Sequence, residues 1–282
     1  MAERTLAWAA LGCGALAALA LWRARRLAHL KEIVRRSGGA AIGGAAAAPV
    51  VVLLGSSSKW RAKLVSSALP AGFALHPRRL SPDIDEKAIR RADAGEMTVA
   101  IAGAKADELL RVLRDPARCA AALQGEPVPD LLICCDQVVV HAGEVREKAE
   151  SVAQCKARLQ SYGRSGKPAE CTSGVVVVDV RSGERRAGVD VALQWIGDVP
   201  DAVADALIAK GEVCNCAGSF VAEDPLLAPY LGKREGELES VQGMPVGLTR
   251  RLLQEVAAAA AIGKHTREAT STSPGRHAID FL

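Results

Sequence analysis

Aromatic residues are scarce in this 282-residue chain, because phenylalanine, tryptophan and tyrosine together make up only 3% of it. So small a share excludes broad stacking surfaces for single-stranded nucleic acid. The chain has five histidines, and none falls in the polar motifs described below, which argues against a serine–histidine triad and against a histidine-based zinc site. The eight cysteines contain no Cys-x-x-Cys pair, so we expect free, mostly buried thiols in a reducing compartment.

Charge of one sign is also limited. The chain carries 36 basic and 32 acidic residues, a net charge of +4, and much of the excess follows directly after residue 22. The remainder is close to balanced, which gives little support for binding a nucleic acid polymer. A content of 49% hydrophobic and 24% charged residues is typical of a globular domain with its own core. This composition excludes a wholly disordered chain, a collagen and a multi-span membrane protein.

One long apolar run stands at the N-terminus. Residues 5–22 carry no charge, and a helix of that length spans roughly 27 Å, enough for a thin bilayer. Arg23, Arg25 and Arg26 follow at once, so a membrane anchor here would leave the rest of the chain in the cytoplasm. A cleaved signal or organelle-targeting segment and a buried alanine-rich helix are the two alternatives.

Composition divides the chain into three parts. Residues 1–48 combine the hydrophobic segment with a glycine and alanine linker, residues 49–262 form the folded domain, and residues 263–282 are a polar tail expected to be disordered. In the folded domain, strand and helix patterns alternate, which favours an α/β or α+β fold with helices covering a central sheet. The patterns predict strands at 50–54, 131–140, 174–180 and 189–196, and helices at 59–69, 98–114 (capped by Thr98), 149–161, 200–210 and 245–262.

The first polar motif follows the first predicted strand. Residues 55–63 read GSSSKWRAK, a turn of small residues that leads into a helix with several cations. The N-terminus of a helix favours anions, serine hydroxyls add donors, and Arg61 can fork onto a phosphate. The spacing is not that of a Walker loop. The alternative is a serine-capped helix with a solvated basic face.

The second motif is an acidic residue within an apolar strand. Asp136-Gln137 interrupts the run LLICC-DQ-VVV, and an unpaired buried carboxylate is costly, so such an aspartate usually serves a cation, a metal or catalysis. The alternative is that the strand ends at Cys135 and Asp136 lies in a turn. A third motif, SPDIDE at 81–86, offers oxygen ligands for Mg²⁺, or is only a solvated acidic loop. Together the three motifs suit nucleotide hydrolysis.

At this point the sequence resembles the Maf family of nucleoside triphosphate pyrophosphatases. The matching segments occur in family order and spacing over about residues 50–255: LLGSSSKWRAKLV at 53–65, DIDE at 83–86, Lys105-Ala106, ICCDQVVV at 133–140, Lys148, and CAGSF at 216–220. The resemblance implies an α/β fold, similar to that of inosine triphosphatases, with an elongated mixed central sheet flanked by helices and two lobes around a cleft. It also implies a divalent metal cofactor, Mg²⁺ or Mn²⁺, a nucleoside triphosphate substrate and a homodimer.

The resemblance also assigns roles to particular residues. Asp136 would accept a proton from the attacking water, and Glu86 would help to hold the metal ion. The triphosphate would be bound by Ser57, Ser58, Arg61, Lys105 and Lys148.

Three positions indicate which base is preferred. Trp60, Gln137 and Glu223 match the branch of the family that hydrolyses 7-methyl-GTP to 7-methyl-GMP and diphosphate. The methylated purine is positively charged, so an indole face and a carboxylate suit it. Two alternatives stay open at this stage: a dTTP, UTP or CTP pyrophosphatase of the same family, and a membrane-tethered nucleotide-binding regulator with weakened catalysis.

The chain departs from the family pattern at three places. Lys59 stands where the family usually has proline, Ala62 where it has a second arginine, and Arg146 to Ala149 read REKA in place of L-G-K-P or T-G-K-P. We expect Lys59 to point towards phosphate or solvent. The altered loop around Lys148 affects the expected rate more than the expected fold.

Overall fold

The computed structural model describes residues 48–271, with side chains described as far as residue 261. The apolar run 5–22, most of the predicted linker and the end of the predicted tail therefore lie outside the described residues. The strands are β1 Val50–Leu54, β2 Phe73–Arg79, β3 Leu131–His141, β4 Glu144–Arg146, β5 Ala169–Asp179, β6 Arg185–Ile196 and β7 Leu231–Glu235. The α-helices are α1 Lys59–Ala68, α2 Ala94–Arg114, α3 Pro116–Leu123, α4 Val152–Ser165, α5 Asp201–Ala209, α6 Leu238–Val241 and α7 Val246–Ser271.

The strands form one mixed seven-stranded sheet in the order β2-β1-β3-β5-β6-β7, with β4 attached to β3. β1 pairs in parallel with both β2 and β3, whereas β3, β5, β6 and β7 pair antiparallel in succession. The long strands β3 and β5 form the centre of the sheet, and their apolar residues are buried on both faces, as expected for strands covered by helices. The expected α/β architecture with a mixed central sheet is confirmed.

Helices cover both faces of the sheet and divide the core into two lobes. In the first lobe, alternate residues of β1, β3 and β5 pack against α2 and α3 on one face and against α7 on the other. In the second lobe, the far ends of β3, β5 and β6 pack against α4 and α5 around Tyr162 and Leu159. The lobes meet along the middle of β3, where β3 no longer pairs with β1.

The edge of β3 is open at this meeting point. β1 pairs with only the first residues of β3, from Leu131 to Ile133, and β4 pairs with its last residues, from Val139 to His141. Between them, no strand in the described part of the chain covers this edge of β3. On this edge, the backbone groups of β3 around Asp136 therefore face a gap in the sheet rather than a neighbouring strand.

The sequence patterns located most of these elements. The predicted strand at 50–54 matches β1, and the two apolar halves at 131–140 form the single strand β3. The prediction that Thr98 caps the long helix is wrong, because the helix begins at Ala94 and Asp93 caps it by accepting from the Glu96 amide. The last helix also continues past residue 262, to Ser271.

Among residues 48–271 there is no helix long and apolar enough to cross a membrane.

A glycine opposite Asp136 sets how closely α2 approaches the sheet. Gly174 of β5 is the register partner of Asp136, and a Cβ atom on it would lie 2.4 Å from both the Thr98 carbonyl carbon and the Val99 nitrogen of α2. These are backbone atoms in the middle of a packed element, so they cannot move aside at low cost. Only glycine allows α2 to lie this close to β5.

We therefore expect Gly174→Ala to lower the free energy of unfolding by about 1–3 kcal/mol, the usual cost of overpacking. Urea denaturation of the two proteins measures it. Gly103→Ala is the matched control, because Gly103 lies inside α2 with no atom within 4 Å of the added carbon, and it is expected to gain about 0.5–1 kcal/mol. A Gly174→Ala protein as stable as the parent would contradict this account of the packing.

Candidate active site

A cleft of about 1110 Å³ opens at the gap beside β3. Its wall includes every residue that the sequence analysis assigned a role, namely Ser57, Ser58, Trp60, Arg61, Glu86, Lys105, Asp136, Gln137, Lys148 and Glu223. These residues come from segments as far apart in sequence as the first strand and the loop before β7. The structure thus brings all of them to one place.

The innermost part of the cleft holds a buried salt bridge. The Lys105 Nζ atom lies 2.7 Å from Asp136 Oδ1 and 3.0 Å from Glu86 Oε1. The side chains of Lys105 and Asp136 are 7% and 9% exposed, whereas that of Glu86 is 49% exposed. Two carboxylates therefore share one ammonium group at the boundary between the core and the cleft.

The strand explains why Asp136 is buried. β3 runs without interruption to His141 and pairs with β5 on both sides of Asp136, so the alternative that this residue lies in a turn is wrong. Successive side chains of a strand point to opposite faces. Asp136 faces α2 and its Lys105, and Gln137 faces the other side, towards Ser240.

The serine loop between β1 and α1 is built as the motif predicts. Ser58 is the N-cap of α1 and accepts from the Arg61 amide at 3.3 Å. Its own amide donates to Ser56 Oγ at 3.1 Å, which folds the loop back on itself. Ser57 is exposed at the tip. The loop therefore presents hydroxyls and a helix N-terminus to the cleft, the arrangement that binds anions.

Arg61 has a structural task as well as a place in the cleft. Its Nε donates to the Gly243 carbonyl at 2.9 Å, and its Nη1 donates to the Cys135 carbonyl at 2.9 Å. The second contact satisfies an acceptor on the open edge of β3, where the strand has no neighbour. The guanidinium is thus fixed in orientation beside Asp136, with donors remaining for a phosphate.

Lys148 lies in the loop after β4 and is exposed at the cleft. Arg146, just before it, is 6% exposed, donates from Nη1 to Ser161 Oγ at 2.8 Å and lies over the Tyr162 ring at 5.0 Å. The REKA sequence therefore buries its first residue under α4, and the lysine is left at the surface of the cleft.

The indole of Trp60 forms another part of the cleft wall. Trp60 packs against the core of the second lobe, with the ammonium groups of Lys59 and Lys63 at 5.0 Å and 4.6 Å from its ring centre. Lys59 also forms an ion pair with Glu212, so its charge is held by a carboxylate of this wall rather than directed to the phosphate site. Burial raises the pKa of the Glu223 carboxyl above its usual value, and Lys63 opposes that rise.

Gln137 uses both of its amide hydrogens inside the protein. Its Nε2 donates to the Ser240 carbonyl at 2.7 Å and to Ser173 Oγ at 3.0 Å. A backbone carbonyl can only accept, which fixes the nitrogen end of the amide on the protein side. The Oε1 atom is consequently an acceptor that is free to face a ligand.

Sequence reasoning missed several residues that build the site. Ser173 and Gly243 each bond a predicted site residue, and Glu212 pairs with Lys59, which the sequence analysis noted only as a departure from the family pattern. The Gly243 carbonyl and Arg61 are separated by 182 positions, and nothing in the local pattern around residue 243 marks it as a partner. Glu212 could have been suspected only as a carboxylate near the CAGSF segment.

The two thiols beside the candidate catalytic aspartate are buried. The cysteines of the described chain are all free, and most of them are buried. Burial raises the pKa of Cys135 next to the candidate catalytic aspartate, and burial likewise raises that of Cys134. Neither is a thiolate at neutral pH, so neither is a nucleophile. The expectation of free, mostly buried thiols is confirmed for these residues.

Comparison with known proteins identifies the family. The Maf-like protein family model matches residues 51–256, and the chain belongs to this family. A 7-methyl-GTP pyrophosphatase from Dictyostelium discoideum is 38% identical over 202 residues, which cover 72% of this chain and 95% of that protein. A nucleoside triphosphate pyrophosphatase from Thermosynechococcus vestitus is 34% identical over 155 residues, covering 54% of this chain and 75% of the relative. One from Synechococcus is 30% identical over 181 residues, covering 64% and 84%.

The buried carboxylate gives a direct test of the site. We expect Asp136→Asn, which keeps the shape and removes the base, to lower kcat for nucleoside triphosphate hydrolysis by about 10²-fold or more. Diphosphate release measures kcat, and thermal unfolding checks that the variant is folded. Asp83→Asn is the control, because Asp83 is an exposed carboxylate of the neighbouring acidic loop and does not line the cleft. If Asp136→Asn kept activity within a few-fold of the parent, its assignment would be wrong.

Proposed function

We propose that the chain is a nucleoside triphosphate pyrophosphatase that hydrolyses 7-methyl-GTP to 7-methyl-GMP and diphosphate. The observation that carries this proposal is the cleft itself. At its inner end Asp136 is buried against Lys105, and at its far wall Trp60 and Glu223 face the same space. The similarity to the Dictyostelium pyrophosphatase over nearly all of that protein supports the same activity.

In this proposal Asp136 is the general base. Its carboxylate takes a proton from a water molecule, whose oxygen attacks the α-phosphorus as the bond from that phosphorus to the bridging oxygen breaks. The electron pair of the broken bond leaves with diphosphate, and the nucleoside monophosphate is the other product. Lys105, at 2.7 Å from Asp136, orients the carboxylate and places a positive charge where negative charge develops.

The cations around the cleft would hold the triphosphate. Arg61 is fixed by its two backbone acceptors and can offer its remaining N–H groups in a defined direction. Ser57 and Ser58 supply hydroxyls at the start of α1, and Lys148 adds a cation from the loop after β4. A cleft of about 1110 Å³ is large enough for a nucleotide of this size.

A divalent metal, Mg²⁺ or Mn²⁺, fits the donors at the inner end. Glu86 would help to hold it, because its side chain is 49% exposed and lines the cleft, and its carboxylate lies 3.0 Å from the Lys105 ammonium that also bonds Asp136. Mg²⁺ binds in proteins through one or two carboxylates together with substrate phosphates and water. When bound, such an ion neutralises phosphate charge.

The base would be recognised by charge and by hydrogen bonding. The Trp60 ring and the Glu223 carboxylate both favour a cationic purine. The free Oε1 of Gln137 would accept from a base donor, and guanine carries N–H donors on its Watson–Crick edge. A neutral pyrimidine gains little from the indole and the carboxylate.

We expect Trp60→Arg combined with Glu223→Gln to lower kcat/KM for 7-methyl-GTP much more than for UTP. Each lost contact is worth roughly 0.5–2 kcal/mol, which is about twofold to about 30-fold in discrimination. Kinetics with 7-methyl-GTP, GTP, CTP, UTP and dTTP measure the change.

Trp195→Arg with Glu235→Gln is the matched control, because Trp195 also lies beneath a lysine, at 5.3 Å, but outside the cleft. A parent protein that prefers UTP, dTTP or CTP would refute the proposed base preference and leave the pyrophosphatase intact. A parent that binds these nucleotides without cleaving them would favour the regulator.

The N-terminal segment is expected to be dispensable for chemistry. The family match begins at residue 51, and every described residue that lines the cleft follows it. We expect a chain starting at Pro49 to keep kcat within about twofold of the full-length value, since no described residue of the cleft is removed.

Fractionation of the full-length protein tests the proposed membrane anchor at 5–22. Recovery of the full-length protein only in the soluble fraction would refute the anchor. The homodimer implied by the resemblance stays a prediction.

A further inference from the structure

Two segments frame the entrance to the cleft, and one side chain connects them. The first segment, residues 86–90, contains Glu86, and the second, residues 147–150, contains Lys148. Arg90 donates from Nη1 to the Glu86 carbonyl at 3.2 Å and from Nη2 to Glu147 Oε2 at 3.2 Å. The guanidinium thus bonds the backbone of one segment and a carboxylate of the other at the same time.

Glu147 is held from a second direction as well. Arg158 of α4 donates from Nη1 to the Glu147 carbonyl at 2.8 Å, and Arg158 is only 9% exposed. A buried side chain on a packed helix is a rigid support for the loop above it. Glu147 is therefore fixed both at its backbone and at its carboxylate.

Lys148 depends on this support. It is exposed and forms no ion pair with the rest of the chain that the structure describes, so its own side chain does not anchor the loop. Its ammonium can meet a phosphate at a defined place only if the backbone of its neighbour is fixed. Holding a long, mobile side chain in place costs conformational entropy, and a rigid backbone lowers that cost.

We propose that Arg90, Glu147 and Arg158 form a brace that sets the position of Lys148 relative to Glu86. All three are positioning residues, since they act through their neighbours. The proposal rests on the proposed function in one respect, which is that Lys148 binds the triphosphate and Glu86 the metal-bound end of the same substrate.

The chain provides a matched comparison for the brace. Lys87 and Glu150 form a second ion pair between the same two segments, at 3.3 Å, but their side chains are 76% and 74% exposed. Lys87 bonds only the Glu150 carboxylate, whereas Arg90 also bonds the Glu86 and Ile89 carbonyls of its own segment. An ion pair this exposed contributes little. The Arg90 and Glu147 side chains are less exposed, at 46% and 41%. The two pairs therefore join the same segments but differ in exposure and in anchoring to the backbone.

The kinetic test is a double-mutant cycle in the full-length protein. We expect Arg90→Gln and Glu147→Gln each to raise KM for 7-methyl-GTP and the Mg²⁺ concentration for half-activation by about three- to fivefold. We expect kcat to stay within about twofold, and the double variant to be no worse than either single one. Arg185→Gln with Asp107→Asn removes an exposed ion pair outside the cleft and is expected to leave both constants unchanged. Additive effects, an equal effect of the Arg185 and Asp107 pair, or a fall in kcat as large as the rise in KM would overturn the proposal.

A second measurement does not depend on activity. Amide hydrogen exchange of residues 147–150 in the nucleotide-free protein is expected to be faster in Arg90→Gln than in the parent, and unchanged in Lys87→Gln. Unchanged exchange in Arg90→Gln would overturn the brace. If the parent hydrolyses no nucleotide, the proposed function fails, and the exchange result still decides whether the brace holds the loop.

Discussion

One ammonium group and two carboxylates determine how the rest of the site is built. Lys105 and Asp136 are both almost fully buried, and a buried charge without a partner would be very costly. The pair is therefore possible only if α2, which contains Lys105, lies directly against β3, which contains Asp136. The close contact of α2 with Gly174 of β5 provides that approach. The charged pair of the cleft consequently depends on the close packing of α2 on the sheet.

The open edge of β3 is the second condition for a cleft. A strand in the middle of a sheet normally has its backbone groups paired on both sides. Here β1 ends early and β4 begins late, and Arg61 supplies a donor to the Cys135 carbonyl that would otherwise lack one. A side chain that satisfies the backbone in this gap also lies where a phosphate would bind. Arg61 thus stabilises the gap in the sheet and keeps N–H groups that are available to a substrate.

Features set by neighbouring residues could be predicted from the sequence, whereas those set by contacts between distant residues could not. The strand around Asp136 and the capped helix after Ser58 follow from short patterns of apolar and capping residues, and the structure has both. The cap at Asp93 was missed because Thr98 is also a residue that caps helices, and only packing of the earlier turn decides between them. The short strands β2, β4 and β7 were missed because their residues are polar or mixed and are ordered by pairing to neighbours. Contacts such as that of Arg61 with Gly243 join residues that are far apart in the sequence, so no local pattern predicts them.

The buried thiols have a consequence for how the two lobes can be observed. Cys134 and Cys135 lie in the core of the first lobe, and Cys155 and Cys171 lie in the core of the second. Burial raises the pKa of these four thiols, so none of them reacts readily with an alkylating reagent in the folded protein, whereas Cys214 and Cys216 are partly exposed. Modification of the four requires local opening of the lobe that contains the thiol, and its rate follows the free energy of that opening. The rate at which the thiols of each lobe are modified therefore measures how often that lobe opens locally.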